Sequence, residues 1–125
     1  MSGIMMALMG ASGIPLSVSG GSTSVSGSST ILGAGTKTVT TSSASVGTVS
    51  GGSTPYSYLW EYVSGDSFTP NTSTSSSTTF SRNITVAAGE SVTATGVYRC
   101  RVTDAASRVA YGPDCTVSAT LTETS

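Results

Sequence analysis

A chain of 125 residues is long enough for one core of ordinary domain size. Five Lys/Arg against six Asp/Glu leave a net charge of -1, and only Arg99 and Arg101 lie close together, so no basic cluster exists to neutralise a phosphate backbone; nucleic acid is excluded as a partner. The absence of His removes the usual general base, the usual Ser or Cys activator and the commonest metal ligand, so no enzyme chemistry and no cofactor are expected.

More than a third of the residues are Ser or Thr and 15 are Gly, a composition that first suggests a disordered linker. Trp60, five Tyr, two Phe and many Val oppose that reading, because disordered chains are poor in aromatic and β-branched residues. An all-β domain with hydroxyl side chains on its wet face accommodates both facts. The low charge gives little protection against edge-to-edge pairing, which favours a bound or oligomeric state.

In chain order, Ile4, Met5, Met6, Leu8 and Met9 make a short apolar run followed by Gly10, Gly13 and Pro15, which stop any helix. The run is far shorter than the roughly 20 residues needed to span a bilayer, so no membrane span is expected. No Lys or Arg precedes Lys37, unlike the start of a secretory signal. An arm that inserts into another protein is expected; the alternative is that it folds back on its own body. Ser19–Ser29 is almost wholly Gly, Ser and Thr, a weak strand or a linker. Residues 1–29 therefore read as arm and linker, and residues 30–125 as a β-sandwich.

Within that body, Tyr56, Tyr58, Trp60 and Tyr62 occupy alternate positions of one strand and share a face, with Trp60 and Tyr58 assigned to the core. Ser67–Pro70 is a short edge strand ended by proline, Asn71–Ser77 an exposed loop, and Thr78–Arg82 a strand with Phe80 inward. A polar bend at Gly89–Ser91 leads to a strand over residues 96–103, whose Tyr98, Cys100 and Val102 face one way and Arg99 and Arg101 the other. After a turn at Asp104–Ser107, the last strand runs from about Asp114 to Leu121 with Cys115, Val117, Ala119 and Leu121 on one face.

Tyr58-Leu59-Trp60, followed about forty residues later by Gly96-Val97-Tyr98-Arg99-Cys100-Arg101-Val102-Thr103-Asp104, resembles the central and penultimate strands of an immunoglobulin-like domain over roughly residues 30–122. The resemblance implies that Trp60 packs beside Cys100 and that Tyr98, two residues earlier, forms the tyrosine corner. It also implies a first Cys near Ala44–Ser50, where this chain has none; Val46 or Val49 fills that space, and the inter-sheet disulfide is missing. Gly51–Trp60 is similar to repeats of bacterial surface and phage virion proteins, and Met1-Ser2-Gly3-Ile4-Met5-Met6 resembles the start of small structural proteins of tailed bacteriophages. These resemblances imply a virion protein on the tail or capsid exterior, expected to be held by its arm to other virion proteins as a homo-oligomer or ring. A carbohydrate-binding adhesion module touching host-surface glycans is the alternative.

Few residues invite chemistry. Cys100 and Cys115 sit on inward parities of neighbouring strands, so a disulfide closing a loop of about fifteen residues, worth on the order of 3 kcal/mol, stands beside a pair of buried thiols as the two readings. Two Cys without His make a poor zinc site. Asp66, Asp104 and Asp114 read as turn formers rather than Ca²⁺ ligands, since no Asp-x-Asp cluster occurs. Glu61 is positioned to meet Arg99 or Arg101 across the strands. Tyr56 or Tyr62, near the strand ends, is the candidate for an exposed stacking surface. Asn71-Thr72-Ser73 and Asn83-Ile84-Thr85 fit the glycosylation pattern by chance in so Ser/Thr-rich a chain.

Overall fold

The computed structural model describes residues 14–125, so Ile4, Met5, Met6, Leu8 and Met9 of the expected docking arm lie outside the described residues. Every regular element among the described residues is a strand: β1 (Ser17–Ser19), β2 (Ser24–Ile31), β3 (Gly35–Thr40), β4 (Ala44–Ser45), β5 (Thr48–Ser50), β6 (Ser57–Gly65), β7 (Thr69–Pro70), β8 (Ser77–Thr78), β9 (Phe80–Val86), β10 (Ser91–Thr103), β11 (Val109–Tyr111) and β12 (Cys115–Glu123).

The larger sheet is centred on β10. One side of β10 pairs antiparallel with β12 over Ser91–Tyr98 and with β11 over Arg101–Thr103; the other side pairs with β6 over Gly96–Thr103. Strand β2 completes this sheet by pairing with β12 in parallel, Ser24 beside Thr116 and Ile31 beside Glu123. The second sheet runs β3–β9–β7, and β4–β8 and β1–β5 form separate two-stranded pairs.

Alternation dictates what lies between the sheets. Along β12, Cys115, Val117, Ala119 and Leu121 are each 0% exposed, while the intervening Thr and Ser point away. Strand β10 contributes Ala94, Tyr98, Cys100 and Val102, and the second sheet answers with Val39, Phe80, Ile84 and Val86. The aromatic rings meet edge to face: Trp60 against Phe80 at 5.8 Å, Phe68 against Tyr98 at 6.4 Å. Val46 is fully buried, whereas Val49 is only partly so.

Two expectations need correction. The body does not begin at residue 30: Ser17–Ser19 and Ser24–Ile31 are already strands. The reason is a close crossing. A Cβ on Gly27 would sit 2.2 Å from the Thr40 carbonyl oxygen, so β2 takes Gly and Ser where a larger apolar residue would have advertised a strand. Tyr58 packs against the core but is only partly buried, although its ladder partner Val102 is fully buried. Of the two readings left open for Cys100 and Cys115, the structure has the pair of buried free thiols. Cys115 faces Tyr98, not Cys100. A diagonal pair of this kind stands about 7–8 Å apart, beyond the usual Cα separation of a disulfide.

Candidate docking face

The outer side of β6, β10 and β11 carries the densest chemistry. Register sets Leu59 and Glu61 of β6 beside Arg101 and Arg99 of β10, and Tyr111 and Val109 of β11 beside Arg101 and Thr103. Glu61 meets both arginines rather than one: its two oxygens lie 3.5 Å from the Nε atoms of Arg99 and Arg101. The Arg99 guanidinium also lies over the Tyr111 ring, 3.9 Å from its centroid, in cation–π geometry. Its Nε is buried yet lacks hydrogen-bond geometry to any partner among the described residues, so the contact with Glu61 is electrostatic. Around this charged centre Val109 and Tyr111 are 48% and 44% exposed.

Two ends of the sandwich are pinned by buried carboxylates, Asp104, which the sequence marked only as a turn former, and Glu123, to which it gave no role. Asp104 accepts from the backbone N–H of Ser53, Ala106 and Arg108 and from Arg108 Nε at 2.9 Å. Burial pushes the Asp104 carboxyl up, but the Arg108, Ser53 and Ala106 N–H groups with the Arg108 guanidinium together hold it below the usual carboxylate range. Its turn role was legible from the sequence; the reach to Ser53, across the fold, was not. At the other end Glu123 takes the N–H of Gly89 and of Gly33 and the Ser125 hydroxyl. The Gly89 donor is the main cause that keeps its carboxyl low, against burial.

The Ser/Thr loop after β7 is tied to the body. Ser73 and Ser75 carbonyls accept the backbone N–H of Trp60 and its indole Nε1, at 2.9 and 2.8 Å. The loop thus covers part of the outer edge of β6, which would otherwise offer a pairing template. Asn71 donates to the hydroxyls of Thr79 and Ser81. Of the two Tyr at the ends of the aromatic row, Tyr56 is half-buried, and Tyr62 is 54% exposed with its hydroxyl donating to the Gly65 carbonyl.

An open groove of about 450 Å³ lies where the free edges of β9 and β10 face each other, lined by Asp66, Arg82, Asn83 and Thr93 over Ile84 and Val92. Asp66 and Arg82 do not pair: Asp66 accepts the Thr95 N–H and Arg82 donates to the Ser67 carbonyl.

Of the residues singled out for the core, Trp60, Tyr98, Cys100, Val102, Cys115 and Val117 are all buried together. Tyr98 departs from the tyrosine-corner expectation, because its hydroxyl bonds to Phe68, thirty residues upstream, rather than to the backbone just before it. Comparisons of the chain with family models, with curated proteins and with solved structures gave no match.

Proposed function

We propose that this chain is a non-enzymatic structural protein of a phage virion, an immunoglobulin-like body displayed on the particle and anchored to tail or capsid by its N-terminal arm. The strand order supports the immunoglobulin-like reading: β2–β12–β10–β6 opposes β3–β9–β7, and Trp60 on β6 pairs directly with Cys100 on β10. The observation that carries the docking role is the outer face of β6, β10 and β11, where exposed Val109 and Tyr111 border a pre-assembled Arg99–Glu61–Arg101 cluster. Tyr and Arg beside aliphatic side chains are what protein interfaces select. The test is incorporation into particles of the full chain, of a chain lacking residues 1–14, and of Val109→Asp. Reduced occupancy of both variants is expected. Normal occupancy of the truncated chain removes the arm as anchor, and normal occupancy of Val109→Asp removes the face.

A carbohydrate-binding adhesion module is the second reading, favoured by the exposed Tyr62 ring and by the groove between Asp66 and Arg82. Binding of the full chain on a glycan array, lost in Asp66→Ala but not in Val109→Asp, would establish it over the first.

A further inference from the structure

We infer that the outer face of β6, β10 and β11 receives an acidic peptide segment of a partner protein, with Arg99 and Arg101 each taking a carboxylate. The inference rests on the reading of that face as a docking surface and adds the chemistry of what docks there.

Charge is the first argument. Two guanidinium groups converge on one carboxylate, Glu61, which leaves one positive charge over on a chain whose net charge is -1. Glu61 engages the inner Nε of each arginine at 3.5 Å, and among the described residues no terminal nitrogen of either side chain has a hydrogen-bond partner in the protein. Those nitrogens present the fork that binds carboxylates bidentately. A single surplus charge is too little for a phosphate polymer, whose affinity comes from many neutralised phosphates.

Spacing is the second argument. Arg99 and Arg101 are alternate residues of β10, so their side chains leave the same face about 6.6 Å apart. An extended peptide repeats its own side chains at that pitch, and acids two residues apart match the pair. Arg99 is also held in place before any ligand arrives, by the Tyr111 ring at 3.9 Å on one side and Glu61 on the other. Ordering it in advance reduces the side-chain entropy lost on binding.

The surroundings favour peptide over sugar. A sugar ring stacks on an open aromatic face, and the Arg99 guanidinium already covers a face of Tyr111. The flanking side chains are the aliphatic Leu59 and Val109, which pack against aliphatic groups of a polypeptide.

The test is an amide NMR titration of the full chain with acetyl-Val-Ser-Glu-Ser-Glu-Ser-Val-amide, with its twin carrying Gln for both Glu, and with a short polyuronate. Shifts centred on Arg99, Arg101 and Tyr111 are expected with the acidic peptide alone, weakening about tenfold on raising salt from low to roughly 0.5 M. Arg99→Gln with Arg101→Gln should abolish them. Glu61→Gln, which removes the competing carboxylate, should tighten binding several-fold, a gain that misfolding cannot imitate. Equal binding of the Gln twin, binding by the double variant, or binding of the polyuronate in preference to the peptide overturns the inference. If the peptide fails while Val109→Asp still lowers particle occupancy, the acidic partner is wrong and the docking face stands; normal occupancy of Val109→Asp sinks both.

Discussion

The hydroxyl of Tyr98 sits against both polar groups of the Phe68 backbone, accepting its N–H at 2.6 Å and donating to its carbonyl at 2.7 Å. Phe68 precedes β7 of the second sheet and Tyr98 lies mid-way along β10 of the first, so one phenol joins the two layers through a buried contact. A buried backbone donor and acceptor would otherwise be left without partners.

Tyr98→Phe keeps the ring and removes that join. It is expected to cost about 1–3 kcal/mol, the range for stranding buried polar groups. Urea unfolding followed by tryptophan fluorescence measures the change, and a loss below a few tenths of a kcal/mol would show the phenol to be dispensable.

Gly96 and Gly27 mark where backbones approach too closely for a side chain. A Cβ on Gly96 would lie 2.1 Å from the Asp66 carbonyl oxygen, at the place where the β6–β10 register shifts. Backbone cannot yield as a side-chain tip can, so Gly96→Ala and Gly27→Ala are each expected to destabilise by roughly 1–3 kcal/mol. Either variant melting at the wild-type temperature would contradict the crossing distances.

Acid should unfold the protein through its two pinned carboxylates. Asp104 and Glu123 are both held low in the folded state, so the unfolded chain binds more protons. Their stabilisation is complete above the ordinary carboxylate values near pH 4 and is lost as pH falls through the folded ones. Melting temperature should be flat from about pH 7 to 5 and drop below about pH 4, with Asp104→Asn less stable at neutral pH and shallower in its acid fall. An unchanged acid profile in Asp104→Asn would remove that group from the account.

The thiols should be inert while the protein is folded. Burial pushes Cys100 up to about 11 and raises Cys115 as well, and the thiolate is the reactive form. Iodoacetamide at pH 8 should modify neither cysteine in the native protein and both in urea without reductant. A mass two hydrogens short of the reduced chain, or urea-resistant thiols, would instead reveal a bond between them.

The residues that were legible in the sequence and those that were hidden have the same physical cause. Trp60, Phe80, Tyr98, Cys100 and the alternate residues Cys115, Val117, Ala119 and Leu121 were legible because a strand buried on one face alternates, and each of these is large or apolar at an inward position. Strand β2 was hidden because Gly27 and Ser29 stand at its inward positions between Val25 and Ile31, Gly27 being pressed against the Thr40 backbone. The doubled grip of Glu61 was half legible: alternation set it opposite the arginines, but only the register could bring both to it. Asp104 and Glu123 could not be recognised as anchors, since their partners Ser53, Gly33 and Gly89 are far away in sequence and are mostly backbone amides, which carry no compositional mark.

Because β2 and β12 run side by side in the same direction, residues 14–23 lie toward one pole of the body and Ser125 lies at the other, beside Gly33 and Gly89. The nine residues of β12 separate the poles by about 30 Å. A fluorophore or affinity handle fused after Ser125 therefore stands well away from residues 14–23 and from the Asp104 turn, on the opposite side of the body.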